Sequence, residues 1–371
     1  MRWILTVVLA LGIVQARASD FIYGVNLANP MHASPAERAE LVDQLAKAGV
    51  KVVRASLTDA SGNINDQAMV FAKSLAAQGI ELDLMLWPKF KHDAPRRPYS
   101  PVRYPGMWGG APLSAADADL SEVFFQDVFN KFDAAGIKLV SVELGNEVNG
   151  ADFNPDFPLA ASGRVFDLHD LASVPEAEQV ARGYLQYLKV MQRLKKVRDH
   201  ASLNRGAALI SAGLTNTGPT GQSVTGRDGV SIAATIAFWR ENGLDQLVDG
   251  YGVHIYPDGR APNDPVATQA RLADMEQNAI SVCSVSENGR PCWITEWGFK
   301  NIDDSCPPKE GRRTALVQQF RNMISDLSSQ YRIKSAMYFV WNSDPWAKSI
   351  DPYSVYRCGA LTNPGRVAIE P

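Results

Sequence analysis

The sequence predicts a closed (β/α)8 barrel. Eight short, apolar or β-branched runs alternate with amphipathic stretches along the chain. Those runs are nearly continuously apolar, as strands covered on both faces must be. The long connections follow runs three, four and five, and in a barrel such loops gather on the C-terminal face. An open doubly wound sheet is the main rival. Against it, GVNLANP (24–30) after the first run does not fit GxGxxG, and no P-loop occurs. No repeat or low-complexity linker breaks the alternation, so residues 19–371 read as one domain.

The strand-like runs are FIYGVNL (21–27), VKVVRASL (50–57), IELDLMLW (80–87), IKLVSVEL (137–144), AALISAGL (207–214), VDGYGVHIY (248–256), CWITEW (292–297) and SAMYFVW (335–341). After the first comes SPAERAELVDQLAKAG (34–49), which Ser34 and Glu37 open as a capping box. Helical stretches over 65–79, 116–136 and 176–200 follow later runs, and Gly49, Gly79 and Gly136 supply C-terminal stops. Within 176–200, Leu185, Leu188, Met191 and Leu194 recur at three-residue spacing and predict a core-facing stripe. Trp239 falls on a helix face toward the core, and Trp293 opens a buried strand. The segment after Trp341 reads as irregular and wraps the barrel mouth. Long loops span 88–113, 148–174 and 215–230.

Residues 1–18 stand apart. A basic start at Arg2, an apolar stretch from Ile4 to Val14 and the Ala16-Arg17-Ala18 signature make a secretory signal peptide. No later run is long enough to span a bilayer, so the mature chain is expected to be secreted or periplasmic. Four cysteines, Cys283, Cys292, Cys306 and Cys358, suggest two disulfides in an exported chain. Of three pairings, Cys283–Cys292 with Cys306–Cys358 is favoured, since the first closes a short turn. A metal site is the alternative, yet there is no CxxC, and the five histidines lack ligand-like spacing. A formal charge of −3, without long charged blocks, does not suggest nucleic acid. No cofactor is implied, and a monomer is expected.

The chemistry begins at VELGNEVNG (142–150), where a strand closes on Asn146 and Glu147. Cleaving a glycosidic bond takes two carboxylates, roughly 5–5.5 Å apart in a retaining mechanism. Glu143 shares the strand, but four residues span ~13 Å. The partner must close another strand, and Glu296 in WITEWGF closes the seventh, across the pocket. Asp83 and Glu143 read as buried ion-pair or hydrogen-bond groups. Arg54 ends the second strand and can hold Glu296 ionised, although a plain ion pair would also place it there. His254 and Tyr256 alternate on the sixth strand; the tyrosine can orient a carboxylate, and the histidine can equally be a satisfied core residue. Asn146 can bond a sugar 2-hydroxyl. Trp341 and Trp87, ending strands eight and three, offer flat faces to a sugar, with plain packing the alternative for Trp341. The loop 88–110 adds Lys89, Lys91, Arg96, Arg97 and Arg103 beside Tyr99, Tyr104 and Trp108. It reads either as a solvated, proline-stiffened loop or as an extended glycan cleft, with uronate-bearing substrates in view.

Asn-Glu closing strand four, Glu closing strand seven in TEWG, His-x-Tyr on strand six, Arg on strand two and Trp on strand eight together resemble glycoside hydrolase clan A. The likeness covers essentially the whole mature chain, and families 5 and 39 are the nearest comparisons. It implies a retaining β-glycosidase with Glu147 as acid/base and Glu296 as nucleophile, supported by Arg54, Asn146, His254, Tyr256 and Trp341. The chain departs from family 5 near strand three, where LMLWPKF offers Trp87 and Lys89 in place of a histidine.

The expected function is hydrolysis of a β-linked polysaccharide or oligosaccharide, with internal cleavage preferred on the strength of the aromatic loops. A transglycosylase would use the same dyad, and a glycan-binding barrel without activity would keep the same pocket. Serine hydrolase chemistry has no foothold, because TGQSVTG (220–226) is not GxSxG.

Overall fold

A computed structural model describes residues 21–100, 107–158, 163–168, 175–218, 226–257, 265–327, 329–345, 347 and 349–370. The signal peptide lies outside these residues, as do Arg103, Tyr104 and most of the TGQSVTG segment. Each of the eight apolar runs contains a strand: β1 (Ile22–Asn26), β2 (Val52–Ala55), β3 (Glu81–Leu86), β4 (Leu139–Leu144), β5 (Ala208–Ile210), β6 (Tyr251–Ile255), β7 (Cys292–Trp297) and β8 (Ile333–Tyr338). They form one parallel sheet in the order β5-β4-β3-β2-β1-β8-β7-β6. Parallel bridges Ile210–Gly250 and Leu214–Val253 join its ends and close the barrel.

The helices are α1 (Pro35–Lys47), α2 (Asp66–Ala77), α3 (Ala118–Ala134), α4 (Pro175–His200), α5 (Ile232–Glu241), α6 (Pro265–Asn278), α7 (Gly311–Leu327) and α8 (Asn363–Ile369). The capping box forms as expected: the Ser34 side chain accepts from the Glu37 N–H, and the Glu37 carboxylate accepts from the Ser34 N–H at 2.7 Å. Aromatic rings fill the space between helices and sheet. Trp239 of α5 stacks on Tyr187 of α4 at 4.7 Å, and Trp297 of β7 stacks on Phe320 of α7 at 4.3 Å. Each fully buried ring contributes about 1.5–3 kcal/mol through removal from water.

Two expectations need correction. Leu185 is exposed, whereas Leu188, Met191 and Leu194 are buried. A three-residue step falls about 60° short of a full turn, so the three steps from Leu185 to Leu194 drift by about 180° and cannot stay on one face. The buried face of α4 instead runs through Tyr184, Tyr187, Leu188, Met191 and Leu194. The segment after Trp341 is also less irregular than expected. It forms a small antiparallel pair, Tyr356–Arg357 with Ala360–Leu361, and then α8, which packs on α7 and β1 as the eighth helix of the barrel.

Strand β7 carries a feature without a sequence signature. Val253 and His254 of β6 are consecutive, yet they pair with Ile294 and Glu296. On the other edge, Ala336 and Tyr338 pair with Ile294 and Trp297. Thr295 is thus an extra residue in the strand. Such a bulge turns the side chains that follow it, and here it brings both Thr295 and Glu296 to the barrel interior. Cys283 bonds Cys292 and Cys306 bonds Cys358, the favoured pairing, with Cα separations of 5.6 and 5.8 Å. Among the described residues, no helix is long and apolar enough to cross a membrane.

The corrected helix face gives a direct stability test. Leu185→Gln is expected to leave unfolding free energy within about 0.5 kcal/mol of the parent. Met191→Ala is expected to cost about 2–5 kcal/mol in urea unfolding. Similar costs at both positions would contradict this orientation of α4.

Candidate active site

A cleft of about 880 Å³ opens over the C-terminal ends of the strands. Arg54, Trp87, Asn146, Glu147, Tyr256 and Glu296 all line it. His254 stands just behind, fully buried, with Nδ1 2.8 Å from Glu147 Oε1 and 3.5 Å from Glu296 Oε2. The structure therefore gathers seven of the eight expected site residues at one place.

Trp341 is the exception. Its ring is fully buried, stacks on Tyr356 at 5.1 Å and does not reach the cleft. Strand β8 ends at Tyr338, so Trp341 lies beyond the ladder and packs under the Tyr356–Leu361 turn. Phe339 lines the cleft at that strand end instead.

The backbone at the end of β4 explains how Glu147 reaches the mouth. Gly145 has φ +85° and Glu147 φ +47°, both left-handed, so the chain folds sharply away from the strand. Glu147 N–H then donates to the Gly213 carbonyl at 2.7 Å. Gly213 also donates its own N–H to Glu143 at 2.6 Å. A Cβ on Gly213 would lie 2.0 Å from His254 Nε2, so only glycine leaves room for that ring.

Beneath the dyad, Arg54 is the hub. Its Nε donates to Glu143 at 2.6 Å, Nη1 to Glu296 at 2.6 Å and to Asn26 at 2.8 Å, and Nη2 to the Asn146 amide oxygen at 2.9 Å. Asn26 also donates to the Thr295 carbonyl at 2.9 Å, so the bulge of β7 is pinned from β1. With its oxygen engaged by Arg54, Asn146 has its amide N–H₂ to offer a ligand. Glu143 serves as the buried ion-pair group expected of it.

The electrostatics follow from these partners. Burial would raise the pKa of Glu296, but His254, Arg54 and the Tyr256 hydrogen bond outweigh it and hold the carboxyl below its usual value. Tyr256 is raised well above the ordinary phenol value by burial and by the charges of Glu296 and Glu147, so it stays protonated and donates to Glu296. Burial disfavours the charged form of His254, yet Glu296 and Glu147 together raise its pKa above the ordinary imidazole value. Asp83, deeper in the barrel, is pushed up to about 7 by burial and by the neighbouring Glu143 charge.

Among the described residues, Glu147, His254 and Glu296 form a three-residue group spaced to hold a metal ion, with donor atoms within 4.8 Å of one another. Those atoms are already engaged. Glu296 accepts from Arg54 and Tyr256, and His254 meets Glu147, so an ion would have to displace these bonds.

The loop after β3 divides between cleft and support. Trp108 lines the cleft and stacks between Tyr99 at 5.8 Å and Phe153 at 6.2 Å. Arg96 also lines it, while Arg97 turns inward to hold the Trp108 and Asp152 carbonyls. Lys89 donates to Asn63 at 2.8 Å and lies over Phe124, away from the cleft. Lys91 pairs with Asp117 at 3.7 Å. Sequence reasoning missed Asn26, Phe153, Phe339 and Tyr353. Asn26 and Phe339 had a usable signal in their strand-end positions; Phe153 and Tyr353 lie in irregular segments and had none.

No family model and no curated protein matches the chain. Solved structures do. A hyperthermophilic endocellulase from Pyrococcus horikoshii is 14% identical with a TM-score of 0.56, over 94% of this chain and 92% of its own. The virulence factor SghA from Agrobacterium tumefaciens is 14% identical at 0.52, over 94% and 95%. An endo-1,4-beta-mannanase from Rhizomucor miehei is 13% identical at 0.50, over 94% and 93%. At such identities the likeness establishes the fold: the chain shares the (β/α)8 barrel of these proteins over almost its whole length.

Proposed function

We propose that the chain is a retaining β-glycoside hydrolase that cuts internal bonds of a β-linked polysaccharide by double displacement. The supporting observation is the pair Glu147 and Glu296, which present carboxylate oxygens within 4.8 Å of each other in the cleft. Inverting enzymes need carboxyls roughly 6.5–9.5 Å apart to admit water, whereas retaining ones use roughly 5–5.5 Å. Glu296, held ionised, attacks the anomeric carbon while Glu147 gives its proton to the departing glycosidic oxygen. Water then attacks the same carbon, Glu147 takes its proton, and the ester to Glu296 breaks. Arg54 and Tyr256 fix the nucleophile, and Asn146 is suited to a 2-hydroxyl that bonds more tightly in the transition state.

Internal cleavage is supported by the aromatic side chains that line the cleft, Trp87, Trp108 and Phe153. The endocellulase and the endomannanase that share the barrel are named for that mode of action. Two disulfides agree with an oxidising destination, so we place the mature protein outside the cytoplasm after loss of residues 1–18. Both carboxylates come from one chain, and a monomer suffices.

The test is release of reducing ends from β-linked polysaccharides, followed by product configuration. Glu147→Ala and Glu296→Ala should each lose about 10³-fold or more in kcat. With an aryl β-glycoside and added azide, Glu147→Ala should yield the β-glycosyl azide and Glu296→Ala the α-glycosyl azide. Swapped products would reverse the two roles, and unimpaired cleavage by either variant would falsify the dyad.

Stability should also depend on pH in a definite direction. Glu296 has a lowered pKa, so its contribution is present above its ordinary 4.5 and lost as pH falls through the folded value. His254 is raised, so its contribution is present below 6.5 and lost as pH rises through the folded value. Asp83, raised from 3.8 to about 7, costs stability as pH rises between those two values, so part of its loss falls between pH ~5.5 and ~7. Tm is therefore expected to be higher near pH ~5.5–6 than near pH ~9, with the alkaline fall reduced in Asp83→Asn. A Tm flat across that interval, or rising, would contradict this arrangement of charges.

A further inference from the structure

The loop after β3 is built around a buried cation. Its arms meet as an antiparallel pair, the Arg97 N–H donating to the Gly110 carbonyl at 2.8 Å and the Gly110 N–H to the Arg97 carbonyl at 2.9 Å. The Arg97 side chain, 8% exposed, donates through Nε and Nη2 to the Trp108 carbonyl at 3.0 and 2.7 Å. Nη2 also donates to the Asp152 carbonyl at 3.0 Å, which the Trp108 N–H meets at 2.8 Å. One guanidinium thus joins the loop after β3 to the loop after β4. Burial and the nearby Arg227 disfavour its charge, and the Asp152 carboxylate offsets them only in part. A buried ion of this kind is costly to keep unless the geometry it fixes is needed.

What the clamp fixes is an aromatic surface. Trp108 lines the cleft and is 51% exposed. Its ring centroid lies 5.8 Å from Tyr99 and 6.2 Å from Phe153, with planes at 17° and 21°. Rings in full face contact lie about 3.5–4 Å apart, so these near-parallel neighbours leave part of the indole face open. Open aromatic surface inside a cleft is the form that ligand sites take. The backbone bounds its distance from the dyad. Gly150 N–H donates to the Glu147 carbonyl at 3.1 Å, and Phe153 N–H to the Gly150 carbonyl at 3.3 Å. Each such turn spans under about 7 Å between its end Cα atoms, which places the Phe153 Cα within roughly 14 Å of that of Glu147. Tyr256, which bonds Glu296, packs instead against Tyr353 at 5.1 Å and Phe339 at 5.9 Å. The cleft thus holds one aromatic group at the nucleophile and another on the wall shared by the loops after β3 and β4.

We propose that Trp108 is a specificity-determining residue whose indole carries a pyranose unit beside the cleaved position, and that Arg97 is the residue that positions it. This rests on the hydrolase reading for its site, but binding tests it separately from turnover. A β-linked pyranose with equatorial hydroxyls presents C–H groups on its faces and hydroxyls around its edge. It can therefore cover the indole while its hydroxyls stay in water. The platform selects for chain length, because a single sugar bound at the dyad does not reach it. Arg97 acts through Trp108: it holds the backbone on both sides of the stack, so the ring meets the sugar without first being ordered.

The experiment compares cellohexaose, laminarihexaose, mannohexaose and xylohexaose with the 4-nitrophenyl β-glycoside of each sugar. Kinetics are measured for the mature parent, Trp108→Ala, Trp108→Phe, Arg97→Met and the double variant Arg97→Met/Trp108→Ala. For the hexamer cut fastest, Trp108→Ala should lower the ratio of hexamer to aryl glycoside kcat/KM by roughly 10-fold or more, through KM. Trp108→Phe should recover most of that ratio. Arg97→Met should lower it roughly 5-fold, again through KM, and add little to Trp108→Ala. Additive losses in the double variant would overturn the positioning role of Arg97. Calorimetry on Glu147→Gln, with and without Trp108→Ala, measures hexamer binding apart from turnover. If hexamers are cut and the ratio does not move in Trp108→Ala, the platform fails and the hydrolase reading stands. If a hexamer binds about 10-fold more weakly without the indole and none is ever cut, the platform stands and the hydrolase reading fails. No saturable binding of any hexamer would overturn the platform.

Discussion

A guanidinium sealed inside a barrel keeps its charge, and everything near it has to answer that charge. Arg54 is 4% exposed, and its five N–H groups are spent on Glu143, Glu296, Asn26 and Asn146. Burying an ion costs several kcal/mol unless good geometry returns it, and removing one partner leaves the other stranded. The cluster is therefore strongly interdependent. Glu143 occupies two guanidinium nitrogens from below, which aims Nη1 upward at Glu296. Asp83 lies beside this pair, and its raised pKa limits how much negative charge the barrel floor carries at neutral pH. Four strands, β1, β2, β4 and β7, are thus tied together through one side chain.

The backbone makes room for that arrangement in places where side chains cannot. Gly213 bonds Glu147 through its carbonyl and Glu143 through its N–H, while its missing Cβ leaves space for His254. One residue thereby couples the acid/base candidate to the layer that holds Arg54. The extra residue at Thr295 does comparable work on β7: it frees a carbonyl for Asn26 and turns Glu296 inward. Without the bulge, strict alternation would send Thr295 and Glu296 to opposite faces of the sheet.

These features mark the boundary of what the sequence could reveal. Strand positions, helix starts and the placement of Glu147 and Glu296 at one cleft were legible because hydrophobic periodicity and strand-end position are local properties. Glu147 stood out because a carboxylate beside an amide is an unusual way to end an apolar run. The bulge was not legible, since WITEW reads the same with or without it. Trp341 misled for a related reason: counting along β8 assumed the strand continued, whereas the ladder stops at Tyr338 and the ring turns into the core. Leu185 failed through a period of 3.0 where a helix imposes 3.6. Phe153 and Tyr353 come from loop segments with no periodicity, so only the folded chain brings them to the cleft.

The different surroundings of the two glutamates carry the assignment of roles. Both oxygens of Glu296 accept hydrogen bonds, one from a permanent cation and one from a phenol that burial keeps protonated. That environment stabilises the anion and fixes its orientation, as a nucleophile requires. Glu147, on a left-handed turn at the cleft wall, sits differently: among the described residues its side-chain hydrogen-bond partner is His254, at 2.8 Å. A group that must give up a proton and later take one back is poorly served by a fixed countercharge, and well served by a neighbour that itself titrates. His254 also lies 3.5 Å from Glu296, so a proton on its ring is felt by both carboxylates. In the proposed double displacement, loss of negative charge from Glu296 on attack would weaken the hold on that proton just as Glu147 gives its own away. The imidazole therefore links the charge states of the two carboxylates, and the chemistry of one is not independent of the other.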